Sequence, residues 1–134
     1  MVEVIVRMSN PTRPSGASAE ELQLLRNAAL LPVVLSVFEA DLAVARDEGT
    51  FPIPGPYIAL IRRAVRRLAG DIARTERLLR QCGIEIWGEG RSHREIALQY
   101  DCRGDRGRYA LTRGMFAGEL ELLMDYYLGL FDGR

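Results

Sequence analysis

PYIALIRRAVRRLAGDIARTERLLRQCG, residues 56–83, decides the fold. Ile58, Ile61, Val65, Leu68, Ile72 and Leu79 recur at the helical period, so one long amphipathic helix is expected. Pro56 suits its first helical position and Gly83 its C-terminal stop. At about 100° per residue, Arg62, Arg63, Arg66, Arg67, Arg74, Arg77 and Arg80 all project into one arc of roughly 140°. No acid shares that arc. Asp71 lies just beyond it, and Glu76 sits among the apolar positions. The flank is therefore a cationic stripe that must meet water, an anion or an acidic partner.

Outward from this helix, charge is segregated. Residues 57–80 carry seven arginines and two acids, whereas residues 18–50 carry six acids and two arginines. Residues 115–134 carry four acids and one arginine, so a positive middle is flanked by negative arms. The formal net charge of zero argues against a dedicated nucleic-acid binder. All 18 basic residues are arginine. Without lysine there is no P-loop phosphate grip, no kinase strand lysine and no pyridoxal Schiff base.

On the N-terminal side, Val2–Arg7 alternates as a short strand does, and a disordered tail fits it equally. Ser9–Gly16 reads as a flexible joint. Residues 1–17 are thus expected to form an arm and 18–134 a single domain. Ser18 with Glu21 three residues on is a capping box, opening a helix through Leu22, Leu25 and Ala29. Pro32 is expected to kink or restart it, and Val34, Leu35, Phe38, Leu42 and Ala45 continue the pattern. Pro52, Pro54 and Pro56 forbid regular helix before the arginine-rich segment. The longest apolar run, Ala28 to Phe38, is broken by Pro32 and Ser36 and reads as too short to span a bilayer.

After Gly83 the period changes to two. Ile84–Trp87 alternates, and so does Glu95–Cys102, with Ile96, Leu98, Tyr100 and Cys102 on one face. Gly88-Glu-Gly90 and Arg103–Gly107 read as turns, and Arg108–Thr112 as a third strand. From about Met115 to Leu130 the pattern is helical again. Its apolar arc, roughly 240°, is far wider than the stripe of about 100° that one-sided packing needs. Met115, Leu122, Tyr126, Leu128 and Leu130 are therefore candidates for self-association. Glu119 falls inside this arc and needs a partner, for which an arginine of the stripe is one candidate.

Catalytic signatures are weak. His93-Arg-Glu95 echoes half of a zinc-deaminase motif, but its paired-cysteine half is missing. Cys82 and Cys102 stand alone, without the short spacing of a metal site or disulfide framework. A loop histidine and two buried thiols account for them better. No metal, cofactor or enzymatic activity is expected. The thiols and the absence of a basic leader point to the cytoplasm.

In Leu31-Pro-Val-Val-Leu-Ser-Val-Phe-Glu-Ala-Asp41, Pro56-Tyr-Ile-Ala-Leu-Ile61 and the charged helix ending at Cys82-Gly-Ile84, the chain resembles a small uncharacterised family of Bacillus and its relatives, the YhjD-like proteins. The resemblance covers about Leu25 to Leu128. It implies a bacterial soluble protein and carries no activity to transfer.

The fold expected is α+β: a kinked helical hairpin with a long arginine-rich helix, a small three-stranded antiparallel sheet and a C-terminal helix, assembled as a homodimer. The function expected is that of a non-catalytic scaffold or regulatory adaptor. Its arginine flank would bind an acidic protein surface or a second copy. Nucleic-acid binding through the same flank is the alternative, and no membrane partner is expected.

Overall fold

The computed structural model describes residues 16–130. The expected strand at Val2–Arg7 and most of the joint after it lie outside them. Three helices and a three-stranded antiparallel sheet follow in the order α1 (Ala19–Arg46), α2 (Gly55–Gln81), β1 (Ile84–Arg91), β2 (Glu95–Cys102), β3 (Asp105–Thr112) and α3 (Arg113–Leu128). This is the α+β arrangement that the change of period implies.

α1 begins at the capping box. The Glu21 amide donates to Ser18 Oγ at 3.2 Å and the Ser18 amide donates to Glu21 Oε1 at 2.9 Å. The helix then runs unbroken through Pro32 to Arg46, which corrects the expected restart. Leu25, Ala29, Leu30, Leu31, Val34 and Phe38 are buried on both sides of the proline, and this packing outweighs one missing backbone bond. Because the helix is continuous, it is also long and apolar enough to cross a bilayer by length and composition, which the sequence reading denied to its apolar run. In this fold about a third of its most apolar stretch is buried.

α2 starts one residue earlier than expected, with Pro54 as N-cap and Pro56 inside the first turn. It ends as predicted at Cys82, where Gly83 takes a φ of +75°. The sheet has the order β1-β2-β3. Two local corrections matter. Gly88-Glu-Gly90 is not a turn but part of β1, paired with Gln99, Leu98 and Ala97 after a bulge at Trp87. The inserted residue bends the edge strand and leaves Trp87 half exposed beneath the Arg106 guanidinium, 5.2 Å from the ring centroid. The second turn is only Arg103-Gly104, and Asp105–Gly107 already belong to β3. Both turn residues have positive φ, 52° and 95°, as a two-residue hairpin requires.

An arginine is strained in that conformation, and its side chain shows what holds it there. Arg103 Nη1 donates to Glu21 Oε2 and to the Cys82 carbonyl, and Nη2 donates to the Gly16 carbonyl, all within 2.8 Å. The turn is thereby tied to both helix ends. One apolar cluster joins α1 to the inward face of the sheet through Leu25, Leu30, Ile96, Leu98, Tyr109 and Leu111. A second binds the helices together through Leu31, Val34, Phe38, Ala64, Leu68 and Tyr127.

Candidate functional site

All seven stripe arginines are exposed along α2, a continuous run of 27 residues and about 40 Å. Its buried residues, Ala64, Leu68, Thr75 and Leu79, occupy the opposite side. Among the described residues, none of the seven comes within 4.0 Å of a carboxylate. The ion pairs seen among the described residues include Arg26–Glu119, Arg91–Glu89, Arg103–Glu21, Arg106–Asp101 and Arg108–Glu95. Like charges also crowd one another. Arg62 and Arg66, and Arg63 and Arg67, are neighbours at i,i+4, and Arg74, Arg77 and Arg80 follow at i,i+3. Each such pair destabilises an isolated helix by a few tenths of a kcal/mol. Among the described residues no carboxylate within ion-pair distance relieves that repulsion. Gly70 and Ala73, both exposed, leave the middle of the edge low.

Arg67 is the exception in its surroundings. Its guanidinium lies 5.0 Å from the Tyr126 ring centroid and 5.7 Å from that of Tyr127, and Nη1 reaches the Tyr127 carbonyl at 3.5 Å. Tyr127 in turn donates from its hydroxyl to Asp71 Oδ2 at 2.7 Å. Burial first, and this bond second, push the Tyr127 phenol well above its ordinary range. These contacts clamp the cationic edge of α2 to the flank of α3.

The five candidate self-association residues divide into two sets. Met115 and Leu128 are partly buried against the two clusters. Leu122, Tyr126 and Leu130 are 47%, 39% and 74% exposed; Leu122 and Tyr126 stand one above the other at i, i+4 on α3, and Leu130 lies just past the helix end. Leu130 is fixed by its amide, which donates to the Asp125 carbonyl at 2.8 Å after the left-handed Gly129.

Glu119 finds its partner in Arg26 of α1, not in the stripe. Both side chains are about nine-tenths buried, and Arg26 Nη2 donates to Glu119 Oε2. Sequence reasoning missed Arg26, although it is the single charge between Glu21 and Glu39 and was the visible signal. The Glu21 carboxyl is held down to about 2, chiefly by the Arg103 guanidinium and then by the Ser18 amide.

Groups considered for catalysis are dispersed or committed elsewhere. His93 is exposed in the β1–β2 turn, Cys102 is buried in β2, and Cys82 caps α2. Burial raises the Cys102 thiol above its usual range, which disfavours the thiolate. A groove of about 660 Å³ lies between the helical pair and β1, floored by Ile72, Leu79, Ile84 and Leu98 and edged by Glu76 and Glu89. A smaller cleft of about 280 Å³ holds Tyr126 with Asp71, Arg74 and Thr75. There Thr75 Oγ1 donates to the Asp71 carbonyl, and Asp71 accepts from Tyr127, so these groups serve one another.

The family model described as YhjD protein matches residues 16–132. The chain belongs to the YhjD family. The match takes in both helices of the hairpin, the sheet and α3, so the arginine edge and the Leu122–Tyr126 ridge both lie within the family's span. No curated protein and no solved structure matches the chain.

Proposed function

We propose that this YhjD-family protein is a non-catalytic scaffold or regulatory adaptor of the cytoplasm whose α2 edge docks on an acidic protein surface, that of a partner or of a second copy. One observation carries the reading: seven exposed guanidinium groups share one edge of a single helix with no carboxylate within ion-pair distance among the described residues. Guanidinium groups fork onto carboxylates, and their weak hydration makes them suited to interfaces. A facing row of Asp and Glu would relieve the like-charge repulsion along α2 and gain charge-assisted hydrogen bonds.

The competing reading is nucleic acid on the same edge. Arg62 and Arg80 stand about 27 Å apart along the helix, long enough to follow a phosphate backbone. Titration of fluorescent polyglutamate and of a labelled 20-base-pair duplex at 50 mM salt separates the two. The expected result is saturable binding of polyglutamate, weakened at least about tenfold by Arg62→Gln, Arg66→Gln and Arg77→Gln together, with little duplex binding. Tighter binding of the duplex, with a steep salt slope removed by the same triple change, would transfer the edge to nucleic acid.

A further inference from the structure

Resting on that reading, we infer that the first acidic surface met by the α2 edge is α3 of a second copy, in a two-fold dimer whose axis runs parallel to α3. The outer side of this domain carries three adjoining sets of side chains. Arg67 and Arg74 of α2 border Tyr126, as the Arg67–Tyr126 contact and the shared cleft show. Next come the exposed apolar residues Leu122, Tyr126 and Leu130. Beyond them, turned roughly 100–140° about the helix from Tyr126, stand Asp125 and Glu121. A cationic row, an apolar ridge and an acidic row thus lie side by side.

Such a face is complementary to itself in one orientation. A two-fold axis parallel to the ridge brings the ridges together and sets the arginine row of each copy against the acidic row of the other. An axis across the ridge would oppose arginine to arginine and acid to acid, which costs affinity through like-charge repulsion. Complementarity therefore selects a parallel α3 pair. Gly118, exposed on α3 about 80° around the helix from Tyr126 on the side of Asp125, leaves room for close approach. The contact is small: about 24 Å of helix by roughly 20 Å for two helices side by side gives on the order of 500 Å² per copy, below the roughly 800 Å² of a standard interface. A salt-sensitive dimer in the micromolar range is expected.

The test is sedimentation of the full chain at 100 µM and 50 mM salt. The expected mass is twice the 15.0 kDa of one chain, with the association constant falling at least about tenfold at 500 mM salt. One variant carries Glu121→Arg and Asp125→Arg, the other Arg67→Glu and Arg74→Glu. Each alone should be monomeric, and an equimolar mixture should recover the dimer. A 15.0 kDa species alone in the wild type, a dimer indifferent to either variant, or a mixture that stays monomeric would overturn the inference. If the wild type is monomeric yet still binds polyglutamate through α2, the dimer fails and the docking edge stands. If neither occurs, both fail.

Discussion

Glu119→Gln is the substitution whose effect the structure fixes most closely. Arg26 and Glu119 keep only 10% and 11% of their side-chain surface exposed, and Arg26 Nε has no hydrogen-bond partner among the described residues. The glutamine preserves shape but removes the negative charge, stranding a guanidinium between α1 and α3. Breaking a buried pair by removing one partner costs about 3–5 kcal/mol, against a total stability of about 5–15 kcal/mol. With an unfolding entropy of about 2.1 cal/mol/K per residue, that loss lowers the melting temperature by roughly 10–18 °C. Replacing both partners, Arg26→Met with Glu119→Leu, removes the stranded charge and should return stability to within about 1–2 kcal/mol of wild type. Urea unfolding followed by far-UV circular dichroism measures the wild type, Glu119→Gln and the double variant. A Glu119→Gln loss under about 0.5 kcal/mol, or a double variant less stable than Glu119→Gln, would refute the reasoning.

Three further outcomes follow from individual residues. Gly70 sits exposed in mid-helix with open space where a Cβ would stand, so Gly70→Ala should stabilise by about 0.5–1 kcal/mol in the same assay. Gly107 behaves oppositely: a Cβ there would stand 2.5 Å from the Tyr100 ring, and Gly107→Ala should destabilise by about 1–3 kcal/mol. Glu21 titrates at about 2 in the fold against an ordinary value of 4.5. A depressed carboxyl stabilises above its unfolded value and loses that contribution as pH falls through its folded value. Unfolding midpoints should therefore drop between about pH 4.5 and 2, and Glu21→Gln should flatten that slope; an unchanged slope would contradict the Arg103 contact.

What was legible in the sequence was local. Ser18 and Glu21 sit three residues apart and cap α1, Gly83 supplies the left-handed stop of α2, and Ile96, Leu98, Tyr100 and Cys102 mark the inward face of β2 by alternation alone. The arginine edge was legible too, because one helix supplies every residue of it. What escaped depends on partners distant in the chain. Gly88 and Gly90 read as a turn, but pairing with β2 holds them extended. Arg103 has no local reason to accept positive φ; Glu21, 82 residues away in the chain, provides it. Pro32 signals a break only to a reader who cannot see apolar packing on both sides of it. Glu119 announced that it needed a cation, and spacing could not say that α1 would supply Arg26 before the stripe did. For self-association, the wide apolar arc of α3 named five candidates, and only tertiary packing separates the exposed Leu122, Tyr126 and Leu130 from the partly buried Met115 and Leu128.

The cationic edge of α2 is tested most directly by arginine side-chain NMR, following the Nε–Hε signals while polyglutamate is added at low salt. The account predicts graded shifts for Arg62, Arg63, Arg66, Arg74, Arg77 and Arg80, with the Arg26 and Arg103 signals unmoved because Glu119 and Glu21 already hold them. Shifts confined to arginines of the sheet, or none at all, would contradict it.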